Sequence, residues 1–145
     1  MDNRSKEDRS KNMSNIHSND TKPEAYVRKY LFSKGFRYRK NVKNLPGKPD
    51  IVLPKYKTII FVNGCFWHAH EGCKWFVPPK TRVQFWETKF QYNKSRDEMN
   101  YLKLKELGWR VFVIWECEIR HNKYPEEVLD RMIYQIKHNT EASHE

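Results

Sequence analysis

The sequence predicts a mixed α/β domain, with helices flanking a sheet. Three observations predict it. The chain has 145 residues, the size of one ordinary domain. Short apolar runs bounded by turn residues alternate with longer stretches of helical spacing. Their order along the chain is helix, three strands, helix, strand, helix, with no internal repeat.

Residues 1–20 are polar and net neutral, which predicts a flexible arm. Thr21-Lys22-Pro23-Glu24 has the form of a capping box, in which Thr21 accepts from the backbone at Glu24 and Glu24 reaches back. Pro23 in the first turn costs no helical hydrogen bond. Ala25, Tyr26, Tyr30 and Leu31 then recur at helical spacing, and Gly35 supplies a stop. Residues 36–40 alternate aromatic and basic, as a half-exposed strand does. Residues 41–49 form a loop around Pro46-Gly47. Residues 50–53 and 58–62 read as two buried strands with a turn between them. Residues 65–79 are irregular. Residues 81–107 read as a long helix with Phe85, Trp86, Phe90, Met99, Leu102 and Leu104 on its apolar side, capped by Gly108. Residues 109–115 make a further buried strand and 125–137 an amphipathic helix. The organisation expected is an arm over 1–20, a single domain over 21–138 and a frayed tail over 139–145.

Composition narrows the function. Aromatic residues make up 14% of the chain, too many for a disordered one. Residues 111–115 are the longest apolar run, which rules out a transmembrane helix. The polar start is not a signal peptide. Three cysteines without a secretory signal argue for reduced thiols rather than a disulfide framework. The net charge is +10, and it is concentrated: between residues 21 and 82, fourteen Lys and Arg stand against three Asp and Glu. A polyanion such as nucleic acid is the partner this implies, against a merely solvated basic face.

Four constellations carry chemistry. Cys65, His70 and Cys73 are spaced C-x4-H-x2-C, and Cys117 follows the last strand. Three Cys and one His are a closed tetrahedral set for structural zinc, and an irregular loop gains much from such a staple. The competing account is three buried free cysteines and an exposed His; within the zinc account, His68 competes with His70, which is nearer to Cys73 and leaves His68 free. Asp50 opens a buried strand beside a basic loop, a position suited to Mg2+ next to a phosphate backbone, although Asp after Pro is also ordinary turn chemistry. The next strand leads through Asn63-Gly64-Cys65-Phe66-Trp67 to His68, which brings an imidazole towards the same edge. Phe66 and Trp67, in a loop of a basic protein, can wedge between base pairs or pack over the zinc loop. The spacing of Trp86 suits a core position.

Together these residues resemble the very short patch repair (Vsr) endonucleases. The resemblance runs over about residues 9–120. It rests on Arg9-Ser10-Lys11-Asn12-Met13, Leu45-Pro46-Gly47-Lys48-Pro49-Asp50, Gly64-Cys65-Phe66-Trp67-His68 with His70 and Cys73, Thr81-Arg82 through Phe85-Trp86, and Glu106-Leu107-Gly108-Trp109-Arg110-Val111 with Val113-Ile114-Trp115-Glu116-Cys117. The resemblance implies a restriction-endonuclease-like core with a structural zinc loop. It implies a Mg2+-dependent nick 5′ of the T in T:G mismatches left by 5-methylcytosine deamination. It further implies a monomer working on double-stranded DNA in the bacterial cytoplasm, with mismatch-repair proteins as further partners. By similarity, Asp50 and the backbone carbonyl of Val62 hold Mg2+, and His68 is the general base, oriented by Asp97. Glu24 is an outer-shell carboxylate. Cys65, His70, Cys73 and Cys117 hold Zn2+. Phe66, Trp67 and Trp86 intercalate, while the arm near Met13 lies in the minor groove. Two departures stand out. Phe61-Val62-Asn63 lacks the second carboxylate and lysine common in the wider fold, and Asn63 stands where some members carry His. Asn63 can donate to a phosphate but cannot be a general acid. The His70–Cys73 spacing is one residue longer than in some members, which Gly72 can absorb. The alternative function is a non-catalytic, zinc-stabilised mismatch-binding module.

Overall fold

Thr21 caps the first helix as its sequence requires: its Oγ1 accepts from the Glu24 N–H at 3.4 Å. A computed structural model describes residues 21–138; the arm over 1–20, with Met13, and the tail over 139–145 lie outside the described residues. Helix α1 spans Lys22–Ser33 and buries Val27 and Leu31 completely. It stops where Gly35 takes φ +91°. The N–H of Gly35 then reaches Phe32 O and that of Phe36 reaches Leu31 O, both at 3.0 Å, so the last carbonyls are satisfied.

Four strands follow in spatial order β1-β2-β3-β4. They are β1 (Arg39–Lys40), β2 (Ile51–Leu53), β3 (Thr58–Asn63) and β4 (Arg110–Trp115). The first three are antiparallel, and β4 joins β3 in parallel, Thr58 opposite Arg110 and Asn63 opposite Trp115. A parallel neighbour needs a long crossover. It is supplied by the loop over residues 64–82 and helix α2 (Val83–Glu106). Helices α3 (Glu116–Arg120) and α4 (Pro125–His138) close the described chain.

The apolar strands serve two cores because successive side chains face opposite ways. Ile51, Leu53 and Ile60 pack with Val27, Leu31, Ile114, Leu129 and Ile133 on the face covered by α1, α3 and α4. Val52, Ile59 and Phe61 pack with Leu104 on the α2 face, joined by Tyr101, Trp109 and Val113.

The structure corrects the sequence reading in four places. The strand expected over 36–40 shrinks to two residues, because Phe36 is drawn into the core and Asn41 turns the chain at φ 53°. The last strand lies at the sheet edge, so only Ile114 of β4 is fully buried. A short helix, α3, follows it where none was expected; Glu118 Oε1 accepts the Trp115 N–H at 2.8 Å to start it. Phe85, Met99 and Leu102 of α2 are exposed rather than on its inner side, which buries only Phe90, Asn93 and Leu104. The middle of that inner face is polar because it covers the site described next.

Candidate active site and metal centre

Asp50 sits at the entrance to β2. Its Oδ2 accepts the backbone N–H of Val62, on the neighbouring strand, at 2.7 Å. The Glu24 side chain turns inward from α1 and is 2% exposed, with Arg28 Nη1 3.3 Å from its Oε2. Burial, then the nearby charge of Glu24, push the Asp50 carboxyl up to about 7, against the pull of the Val62 N–H and the Arg28 guanidinium. Glu24 therefore does more than cap its helix. Its N–H serves the cap while its carboxylate crowds Asp50.

His68 follows β3 in a series of tight turns. Its N–H reaches Gly64 O at 3.2 Å, and the His70 N–H reaches Cys65 O at 3.0 Å. Ala69 between them takes φ 47°. These turns aim the His68 ring at α2, where Nδ1 lies 2.5 Å from Asp97 Oδ2. The structure thus joins two residues far apart in sequence. A carboxylate on Nδ1 fixes the tautomer in which that nitrogen carries the hydrogen and Nε2 keeps a lone pair. Arg96 Nη2 lies 3.4 Å from the other Asp97 oxygen. His68 and Asp97 line an open cavity of about 340 Å³ with Asn63, Lys94, Tyr101 and Trp115.

Asn63, at the end of β3, is 4% exposed, and its Nδ2 donates to Tyr101 Oη at 2.9 Å. Burial raises the Tyr101 phenol to about 12, with the charges of Asp97 and Asp50 adding and the Asn63 hydrogen bond opposing. The phenol therefore lies within the fields of both carboxylates. Tyr101 was not foreseen from sequence. Its one signal is spacing, since Asn93, Asp97, Tyr101 and Leu104 recur at helical intervals on one face of α2.

Cys65, His70, Cys73 and Cys117 converge from the loop and α3, with all four donor atoms within 4.8 Å of one another. His70 Nδ1 lies 3.6 Å from both the Cys65 and the Cys117 sulfur. Ideal zinc distances, about 2.3 Å to sulfur and 2.0–2.1 Å to nitrogen, set a tetrahedral S···N edge of about 3.6 Å. The donor set therefore fits a tetrahedral metal such as zinc. Burial pushes the metal-free Cys65 thiol up to about 12 and lowers the His70 imidazole, favouring its neutral, ligating form. His70 is held by stacking on Trp115 at 3.9 Å, with 5° between the planes. His68 belongs to the other site. Gly72 takes φ +68° and carries the turn towards Cys73.

Phe66 and Trp67 are half-buried. Phe66 meets Trp67, Trp86 and Phe90 with centroids 5.1, 5.5 and 5.3 Å away. Asn93 Nδ2 donates to Trp67 O at 2.9 Å and ties the loop to α2. These rings pack together beside the Cys/His loop, and Trp86 belongs to the same cluster.

A small mixed sheet with a half-buried carboxylate at one strand entrance, an imidazole–carboxylate pair beside it and helices on both faces defines a restriction-endonuclease-like fold. Residues 1–74 match the family model described as DNA mismatch endonuclease Vsr. The type II nicking enzyme V.NmeAIP of Neisseria meningitidis is 49% identical over 125 residues, covering 86% of this chain and 89% of its own. The type II nicking enzyme V.XorIIP of Xanthomonas oryzae is 45% identical over 107 residues (74% and 78%). The DNA mismatch endonuclease Vsr of Escherichia coli is 43% identical over 122 residues (83% and 78%). The chain belongs to the Vsr endonuclease family.

Proposed function

We propose that this protein nicks one strand of double-stranded DNA 5′ of the T in a T:G mismatch, by Mg2+-dependent phosphodiester hydrolysis, in very short patch repair. The contact between His68 and Asp97 carries the proposal, at 2.5 Å across 29 residues of sequence. With Nδ1 tied to Asp97, His68 Nε2 takes a proton from a water. That water's oxygen bonds to phosphorus as the phosphorus–oxygen bond to the adjoining nucleotide breaks. The departing oxygen leaves as a hydroxyl with a proton from solvent, so one phosphate and one hydroxyl end result.

The donors at Asp50 fit a hard divalent cation. Burial first, and then the charge of Glu24, push the Asp50 carboxyl up to about 7, and a cation there would offset both. In an extended strand the N–H and C=O of one residue point the same way, so Val62, whose N–H meets Asp50, turns its carbonyl to the same side. Asp50 and Val62 O would hold Mg2+, with Glu24 behind Asp50. When bound, Mg2+ supplies positive charge to the phosphate oxygens as the bond to the leaving group breaks. Cys65, His70, Cys73 and Cys117 would hold a structural Zn2+, which would fix the loop that carries Phe66, Trp67 and His68. Those two rings and Trp86 enter the base stack at the mismatch, where unstacking is cheapest. Met13 and the arm follow the minor groove.

A nicking assay on a duplex with one T:G pair, with and without Mg2+, tests the proposal. Nicking of the T strand that depends on Mg2+ is expected. Mismatch binding without nicking would favour the non-catalytic module instead.

A further inference from the structure

We infer that the Tyr101 hydroxyl is a catalytic group, donating a hydrogen bond to a nonbridging oxygen of the scissile phosphate while Asn63 holds it in place. This rests on the proposed function and deepens it. Asn63 is the residue that sequence offers as a phosphate donor, but it is 4% exposed, and one of its two amide N–H groups serves Tyr101 Oη at 2.9 Å. An amide N–H donates, so the phenol oxygen accepts and its own hydrogen must point elsewhere. Tyr101 lines the same cavity as His68 and Asp97. Burial and two nearby carboxylates keep the phenol protonated at any working pH, so it remains a donor. Its ring is fixed by Phe61, centroid to centroid 5.1 Å. Gly47, in the loop before Asp50, tightens the same corner, since a Cβ there would lie 3.1 Å from Phe61 Cζ and 3.2 Å from Asn100 Cβ. The ring is thus braced by Phe61, itself backed by Gly47, and the hydroxyl is placed by an amide. A donor set in advance towards a phosphate carries little reorganisation cost as charge builds in the transition state.

Tyr101→Phe keeps the ring packing and removes only the donor. It should slow single-turnover nicking of the T:G duplex by about tenfold to a hundredfold, the usual size of a hydrogen bond to a charged group. Binding to the same duplex in Ca2+ should stay within about twofold, because other phosphate contacts set affinity. Asn63→Ala should slow nicking less, and the double variant should be no slower than Tyr101→Phe by more than about twofold, since both act through one hydroxyl. The decisive measurement uses duplexes with sulfur at either nonbridging position of the scissile phosphate. Sulfur accepts hydrogen bonds poorly, so the defect of Tyr101→Phe should shrink towards unity on one diastereomer and persist on the other. A parental rate for Tyr101→Phe would overturn the inference and would fit an Asn63 amide turned to accept from the phenol. An equal defect on all substrates would leave Tyr101 as packing and overturn it too. If the parent protein itself fails to nick, the proposed function falls, and this inference with it.

Discussion

Asp50 meets two opposing demands. In the proposed reaction its carboxyl holds a cation, yet in the folded chain burial and the charge of Glu24 push it from 3.8 up to about 7. The folded state therefore binds that proton more tightly than the unfolded chain does. The stability this contributes is complete below the ordinary carboxylate range and is lost as pH rises towards 7. Asp50→Asn removes this partly buried charge. Without added Mg2+ but with zinc retained, its melting temperature at pH 8 should exceed the parent's by a few degrees, while at pH 4 the two should converge. The same variant should nick at least ~100-fold more slowly. Thermal melts at the two pH values and a nicking time course check this; equal melting at pH 8, or near-parental nicking, would remove Asp50 from the site. His68 makes a separate case. His68→Ala should cost at least ~100-fold in nicking, and Asp97→Asn at least ~10-fold, because an amide no longer fixes the tautomer. Parental rates in Asp97→Asn would reduce its contact with His68 to a structural one.

The loop over residues 64–82 connects β3 to α2 without regular structure, so its order depends on what binds it to its neighbours. Cys65 at the end of β3 and Cys117 on α3 share one donor cluster with His70 and Cys73. Metal there would staple the loop to α3 at the same end of the sheet, where Asn63 pairs with Trp115. Cys117→Ser should release zinc and lower the melting temperature, because metal binding is also folding free energy here. Because the metal-free Cys65 thiol sits near 12, zinc must displace protons to bind. Apparent affinity should therefore weaken as pH falls from about 8 to 6 in a chelator competition; a flat pH profile would mean the thiols are not ligands. What sequence revealed of these elements follows the physics. Helix α1 was legible from Thr21, Pro23 and Gly35, and the Cys/His cluster from residue type and, for Cys65, His70 and Cys73, from spacing. The buried strands were legible because both faces are covered. The inner face of α2 was not, because Asn93, Asp97 and Tyr101 occupy positions where an amphipathic pattern expects apolar residues. Asp97 was found only through the family resemblance, and Tyr101 not at all, since neither lies near its partner in the chain. Helix α3 has five residues, too few to show a period.

Across the whole molecule, the proposed function assigns affinity and chemistry to different residues. Fourteen basic residues against three acidic ones over residues 21–82 give the phosphate backbone an electrostatic partner that carries no sequence information. Binding should therefore weaken steeply between about 50 and 200 mM salt, by a factor on the order of 10³ or more if six or more phosphates are neutralised. Gel shifts over that range check it; salt-independent binding would exclude the basic face. Discrimination of the mismatch needs something else, and the aromatic cluster is placed to supply it. Trp67 is half-buried against Phe66 and Trp86, while Asn93 holds its backbone carbonyl rather than its ring, so Trp67→Ala leaves the loop anchored. A wedge costs a few kcal/mol of unstacking at a paired step and less at a mismatch. Removing it should erode the difference between the two duplexes more than the affinity for either. Trp67→Ala should thus lower the preference for T:G over T:A duplex by roughly tenfold, about 1.4 kcal/mol, while keeping the salt slope of the parent. Asp50→Asn should do the opposite, keeping the preference and losing the nick. Competition gel shifts in Ca2+ with both duplexes, beside nicking in Mg2+, separate the two outcomes. An unchanged preference in Trp67→Ala would mean that the ring only packs over the metal loop.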